Sequence, residues 1–181
     1  MMYCRTFIIP IGLACALVAS ATLMIPLSIP ELTRQAEVVV AGTVVSKTCI
    51  PGNAGRVVTE IELDVTEVWK GSVSSSRIRI VQGGGTLGTR RTVASGEASY
   101  EVGEEVVAFL VRNDRGEGVT LGLAQGKFAV EQETGTGEKL ASNVFHGRKN
   151  APEGSGIARA DSGRDKLTLG KLKQQVKEAA R

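Results

Sequence analysis

The sequence predicts an all-β protein, a small antiparallel barrel or sandwich with a short N-terminal helix and a C-terminal amphipathic helix. Seven short segments are rich in β-branched residues or alternate between apolar and polar residues, and turn-forming residues separate them at regular intervals. Helical signals are confined to the two ends. The chain has 181 residues, 42% of them hydrophobic and 23% charged, which suits one globular domain.

Residues 1 to 21 have the pattern of a secretory signal peptide. Arg5 precedes an apolar run that ends at Ala19-Ser20-Ala21, a small-x-small pattern that signal peptidases cleave. Two alternatives stay open: an uncleaved membrane anchor, since apolar residues resume at Leu23, and a lipoprotein attached through Cys15. We expect an exported protein, periplasmic or extracellular, that touches the membrane only through this segment if it is not cleaved.

Cleavage after Ala21 would leave residues 22 to 181 with one cysteine, Cys49, so no disulfide can form within that chain. We divide the chain into a signal peptide (residues 1 to 21), a β-barrel domain (22 to 146), a flexible linker (147 to 164) and a basic amphipathic helix (165 to 181). The linker lacks apolar periodicity. The barrel domain is large enough to be stabilised by its core alone.

The first predicted element after the signal peptide is a short helix that ends near Gln35. Ser28 and Glu31 have the spacing of a capping box, in which each side chain accepts a hydrogen bond from the other residue's amide. Leu27 and Leu32 have the spacing of a hydrophobic staple. Both signals place the start of the helix just after Ser28.

Seven strands are predicted after this helix. The first contains Gly42, which marks a bend or bulge. The second alternates from Val57 to Trp69, with apolar residues at most odd-numbered positions, and forms an antiparallel hairpin with the third. Residues 83 to 103 are predicted to form a long loop. The strands cover residues 37 to 46, 57 to 69, 77 to 82, 105 to 111, 119 to 123, 127 to 131 and 140 to 145.

The last predicted element is a helix that begins after Thr168, its N-cap, with a staple between Leu167 and Leu172. A narrow apolar stripe on this helix is formed by Leu169, Leu172, Val176 and Ala179. Lysines surround the stripe, so it fits docking on the barrel, on a partner or on an anionic surface. The sequence leaves these three arrangements open.

The charge distribution argues against a nucleic-acid partner. The formal net charge is +3, but residues 22 to 146 carry 12 basic and 15 acidic side chains, whereas residues 147 to 181 carry 9 and 4. The excess of positive charge therefore lies in the tail and not in the predicted barrel.

The residues do not form a recognisable catalytic set. The chain has one histidine, His146, which could act as a base toward Cys49, Ser95 or Ser99, but no nucleophile motif surrounds any of them. We interpret His146 as a surface residue. The sequence therefore predicts no catalytic residues, no metal site and no cofactor, and we expect a protein that is not an enzyme.

Two further patterns have ordinary structural explanations. Glu60, Glu62 and Asp64 form a row of carboxylates that could hold a cation or a basic partner, but alternation along a half-exposed strand accounts for it. Gly83 and Gly85, with Gly88, have the spacing of a dinucleotide-binding loop, but the helix and βαβ unit that this motif requires are missing.

The best candidate binding element is the glycine-rich loop of residues 83 to 99, which carries Arg90 and Arg91. We count Tyr100 and Phe145, the two aromatic residues expected to be exposed, with Arg90 and Arg91 as candidate binding residues. The remaining aromatic side chains of the predicted domain fall on apolar strand positions and are expected in the core: Trp69, Phe109 and Phe128.

Four segments carry a resemblance to known proteins: residues 36 to 44, 65 to 71, 100 to 106 and 122 to 128. They resemble a group of exported bacterial proteins, and their pattern is similar to the netrin-like barrels of the OB type found in tissue inhibitors of metalloproteinases. The resemblance covers roughly residues 30 to 146 and implies an OB-like barrel. Those inhibitors chelate the target's zinc through an N-terminal cysteine, whereas this chain would begin at Thr22 after cleavage.

We therefore expect an exported, non-enzymatic binding protein that uses barrel loops to bind another protein or an envelope component. The alternative is a loop-based inhibitor or regulator of an extracellular protease. A hydrolase that uses His146 is a third, less supported class.

Overall fold

A computed structural model describes residues 25–147 and 166–181, which form two α-helices and nine β-strands. The predicted signal peptide and almost all of the predicted linker lie outside the described residues. The helices are α1 (Ile29–Gln35) and α2 (Leu169–Ala179). The strands are β1 (Val38–Pro51), β2 (Val57–Lys70), β3 (Arg77–Gly83), β4 (Gly85–Leu87), β5 (Arg90–Thr92), β6 (Glu105–Arg112), β7 (Gly118–Thr120), β8 (Lys127–Gln132) and β9 (Lys139–Ser142).

Seven strands form one sheet in the order β1-β2-β3-β7-β6-β8-β9, and β1 pairs in addition with β6. The predicted hairpin between β2 and β3 is present. The sheet is mixed and not antiparallel throughout, because β3 and β7 pair in parallel at Ile80 and Gly118. The prediction of a mostly β protein with a helix near each end is confirmed, and its purely antiparallel form is wrong.

β1 is longer than predicted and bends at Gly42. It extends to Pro51 because β2 pairs with it along almost its whole length, which the polar residues after Val45 do not reveal. The register between the two strands shifts between Ala41 and Gly42, as expected for the predicted bulge. A Cβ atom on Gly42 would lie 2.3 Å from the backbone oxygen of Asp64, so the bend needs glycine for close approach.

The β1–β6 pair is buried on both faces and separates two hydrophobic cores. Successive side chains of a strand point to opposite faces, so neighbouring residues enter different cores. The first core lies between the sheet and the two helices, and it receives Val39, Ala41, Val107 and Phe109. The second lies on the other face and receives Val38, Val40, Val106, Ala108 and Leu110.

α1 begins and ends as its sequence signals indicate. The Ser28 and Glu31 side chains form the predicted capping box, and Glu31 Oε2 accepts from the Ser28 amide at 2.8 Å. At the other end, the Lys70 ammonium donates to the carbonyls of Thr33 and Ala36 at 2.7 and 2.6 Å. A cation at this position also favours the helix dipole.

α2 docks on the sheet and on α1, which decides among the three arrangements that its sequence allowed. Leu172 and Val176 are fully buried in the first core, together with Leu32 of α1. Lys173 donates to Glu67 at 2.7 Å. This bond, with a second from the Trp69 indole, holds the pKa of Glu67 below its usual range. Thr168 caps the helix as predicted.

Besides β1, three further segments differ from the sequence prediction. Residues 83 to 103 contain a short two-stranded hairpin, β4–β5, and are not one continuous loop. Residues 119 to 123 are a strand only as far as Thr120, and a 3₁₀ turn follows at Leu123–Gly126. β9 ends at Ser142 because Asn143 Oδ1 accepts from the amides of the next residues and turns the chain.

Among the helices of residues 25–147 and 166–181, none is long and apolar enough to cross a membrane.

Leu172→Ala is expected to lower the free energy of unfolding by about 2–5 kcal/mol, because it removes a fully buried side chain from the core that α2 completes. Lys177→Ala changes an exposed residue of the same helix and is expected to cost less than about 0.5 kcal/mol. Urea unfolding measures both. Equal stabilities would mean that α2 does not contribute to the folded domain.

Gly42→Ala is expected to cost about 1–3 kcal/mol, because the new methyl group has no room beside the Asp64 carbonyl. Gly170→Ala is the matched control, since its Cβ would meet only the Thr168 hydroxyl at 4.0 Å. As a helical position it is expected to keep or raise stability, by up to about 1 kcal/mol. Thermal unfolding of both variants tests this difference, and equal melting temperatures would contradict it.

Candidate functional site

The β4–β5 hairpin, called the ribbon below, is the element that carries the predicted binding arginines. Three residue pairs hold it together, from Gly85 opposite Thr92 to Leu87 opposite Arg90. A two-residue turn joins the strands, and only its first residue, Gly88, has a positive φ, of 58°. Glycine at that position suits a type II′ turn. The glycines that match the dinucleotide motif therefore form a hairpin and not a helix N-terminus.

The base of the ribbon is anchored on the ends of β1 and β2. The Val57 amide donates to Thr92 Oγ1, and the Thr59 hydroxyl donates to the Gly84 carbonyl, each at 2.8 Å. A Cβ atom on Gly85 would lie 2.8 Å from both Cys49 Sγ and Thr59 Oγ1. The missing side chain thus lets the backbone lie directly on the sheet. In contrast to this base, residues 86 to 91 are all exposed.

Arg90 and Arg91 are both exposed, but they lie on opposite faces of the ribbon. Arg90 is paired across the ribbon with Leu87, and Arg91 with Thr86. Because side chains alternate along a strand, the first pair shares the face of Gly85 and the second has the other face. Within residues 25–147 and 166–181, neither arginine lies within 4.0 Å of a carboxylate.

The two exposed arginines of β3 are bound to carboxylates. Arg77 lies 3.8 Å from both Glu62 and Asp64, and Arg79 lies 3.8 Å from Glu60. The carboxylate row of β2 is thus one side of an ion-pair ladder with β3. No group of three potential metal ligands occurs among the residues that the structure describes. Ion pairing with β3 accounts for the carboxylate row of β2, whereas the two arginines of the ribbon have no carboxylate partner.

Sequence reasoning missed three exposed residues on the ribbon or next to its base. Val93 is 73% exposed and Leu87 is 37% exposed, so the ribbon presents apolar surface next to its charge. Arg56 is also exposed and directly precedes Val57, whose amide holds the ribbon. Residues 48 to 59 and 83 to 96 contain no aspartate or glutamate. That absence was visible in the sequence, but only the structure brings the two segments together.

The two aromatic candidate binding residues are not exposed as expected. Tyr100 is fully buried in the second core, so its predicted exposure is wrong. Its hydroxyl is 2.8 Å from that of Thr120, and burial raises its pKa. The prediction of exposure failed because the partner of the Tyr100 hydroxyl lies 20 residues away, which the local sequence does not indicate. Phe145 is half-buried in the turn after β9, and its amide donates to Asn143.

His146 is buried, so its interpretation as a surface residue is wrong. Its ring stacks on Phe128 with 5.9 Å between centroids, and Nε2 is 2.9 Å from the Leu27 carbonyl oxygen. The segment before α1 covers it, a contact across 119 residues. Cys49 instead contacts the hydroxyl of Thr59. The groups considered as nucleophile and base therefore take part in separate sets of contacts.

A broad cleft of about 760 Å³ beside β8 carries charges of both signs on its walls. Its two lysines are paired, Lys127 with Glu104 and Lys166 with Glu133, and Glu97 and Glu131 also line it. This mixture of charges does not favour an anionic or a cationic ligand. No family model, curated protein or solved structure matches this chain. The candidate site is therefore the ribbon with Arg56, chosen on geometry and charge.

Gly85→Ala is expected to detach the ribbon, because its Cβ would overlap Cys49 and Thr59 and its φ of 136° is unfavourable for alanine. Trypsin should then cleave after Arg90 and Arg91 at least about tenfold faster, since local opening controls such cleavage. Gly88→Ala is the control: its φ is also positive, at 58°, but its Cβ would meet nothing within 4 Å. Mass spectrometry of timed digests measures the rates. Equal rates in the two variants would contradict the anchoring.

Proposed function

We propose that this chain is an exported, non-enzymatic binding protein in which an OB-type barrel presents the ribbon to another macromolecule, a protein or a component of the cell envelope. Export is supported by the signal-peptide pattern of residues 1 to 21. The proposal rests chiefly on one observation, which is the exposed and unpaired positive charge of the ribbon beside exposed apolar side chains.

The strand pairings support the barrel. β1, β2, β3, β7 and β6 are hydrogen-bonded in that order, and the additional β1–β6 pairing returns to the start. Five strands arranged in this way, with two of them in parallel contact, fit an OB-type barrel. This arrangement also agrees with the resemblance to netrin-like proteins. The two helices would then cover the outside of the barrel.

The ribbon has the composition of a binding element. Arginine is enriched at the energetic centres of protein interfaces, where its planar head group makes several hydrogen bonds at once. Loops on rigid scaffolds carry such residues more often than core strands do. Here the scaffold is rigid at the base, through the Val57–Thr92 and Thr59–Gly84 hydrogen bonds, and the tip is free to make contacts.

The surroundings of the nucleophilic and basic residues support a role without catalysis. A general base has to reach the proton that it removes, either directly or through one water. His146 is committed to Leu27 and is stacked on Phe128, while Ser99 donates to Glu101. A protease-inhibitor role has weaker support than binding, because the tight two-residue turn of the ribbon offers no extended segment for a protease cleft.

Affinity capture with the chain from Thr22 onward tests the proposal. Wild-type bait and Arg34→Ala bait, in which an exposed arginine of α1 is removed, are expected to retain the same envelope component. Arg90→Ala with Arg91→Ala should reduce its retention at least about tenfold. Quantitative mass spectrometry measures retention, and thermal unfolding checks that each bait is folded. A component retained equally by all three baits would place binding elsewhere.

A further inference from the structure

The ribbon and the chain beside it carry three exposed arginines, while one carboxylate, Glu97, lies at the ribbon's base, 3.5 Å from where a Cβ atom on Gly83 would be. Arg56, Arg90 and Arg91 lie in two neighbouring segments without any acidic residue, and Leu87 and Val93 lie among them. These five residues are called the basic end below. Residues 22 to 146 as a whole carry more acidic than basic side chains, so the basic end is a local exception.

The placement of the charges indicates what kind of surface the basic end meets. The two ribbon arginines point to opposite faces, as their cross-strand partners show. A single protein surface packed on one face would leave the other arginine in water. A layer of anionic head groups surrounds whatever enters it and can pair with both faces at once.

The apolar residues fit the same environment. Leu87 and Val93 are aliphatic and exposed, and both lie on or next to the ribbon that carries Arg90 and Arg91. Aliphatic side chains flanked by cations are the usual composition of segments that lie at the boundary between head groups and acyl chains. Residues 86 to 91 are all exposed and Val93 is 73% exposed, so both apolar side chains face solvent and can reach that boundary.

We propose that the basic end binds the surface of an anionic phospholipid bilayer, with the three arginines pairing with lipid phosphates and Leu87 and Val93 entering the head-group layer. This inference rests on the proposed function and names the partner of the same ribbon. It goes beyond the sequence expectation, which limited membrane contact to residues 1 to 21. The alternative partner is an acidic protein, and the experiments below distinguish it from a bilayer.

The test is co-sedimentation of the chain from Thr22 onward with two kinds of vesicle, one of phosphatidylcholine alone and one in which about a third of the lipid is phosphatidylglycerol. Binding is expected only to the anionic vesicles, and it should weaken as salt is added, because salt screens exposed charges. Absence of binding to the anionic vesicles at low salt would overturn the inference.

Two double variants test whether binding depends on the basic end or only on the total positive charge of the chain. Each arginine near an anionic surface contributes about a fivefold gain in partitioning, so Arg90→Gln with Arg91→Gln should weaken binding about 25-fold. Lys171→Gln with Lys177→Gln removes the same charge from exposed positions of α2 and should change it less than about twofold. Equal losses in the two variants would mean that attraction is unspecific and that the inference is wrong.

Val93→Ser tests insertion, because it removes an exposed apolar side chain without changing charge. It should weaken binding to anionic vesicles severalfold at every salt concentration. Unchanged binding would overturn the insertion of Val93.

The capture experiment distinguishes failure of this inference from failure of the proposed function. A protein that is lost from the Arg90→Ala and Arg91→Ala bait, together with no binding to vesicles, would keep the proposed function and replace the bilayer by that protein. If neither vesicles nor any captured component depends on the ribbon, both proposals are wrong.

Discussion

The rest of this structure depends on the burial of the β1–β6 pair on both faces. The two strands direct apolar residues to both faces, so neither face can be left to water without exposing a row of valines with Phe109 or Leu110. One face is covered by the remaining strands of the sheet. The other needs a separate layer, which α1 and α2 provide. The basic C-terminal helix is thus part of the folded domain, and its lysines lie on the surface because its apolar stripe is already used.

Much of the fold could be predicted because local signals agree with it. The alternation of β2, the continuous apolar run of β6 and the capping signals of Ser28 and Thr168 depend only on neighbouring residues, and each of these elements is present. Strand lengths that depend on pairing with another strand could not be predicted from the sequence. β1 continues to Pro51 because β2 pairs with it there, and the ribbon is too short and too rich in glycine to show a period.

The candidate site was only partly predictable for a related reason. Arg90 and Arg91 were found as adjacent charges in a glycine-rich segment, and both are exposed. Their separation by the strand pleat, and the approach of Arg56 from another segment, are consequences of pairing and anchoring. The two errors, Tyr100 and His146, concern side chains whose polar partners lie 20 and 119 residues away. Whether such a residue is core or surface is decided by tertiary contacts, which a single sequence does not display.

The packing of α1 against α2 joins the first and the last described elements of the chain. Contacts between residues so far apart in sequence form slowly, because a long stretch of chain must be ordered before they are made. Leu32 is therefore not fully covered while Leu172 is still to be synthesised. A core that needs residues 169–179 to close cannot be completed until they have been made, so folding of this layer ends with α2.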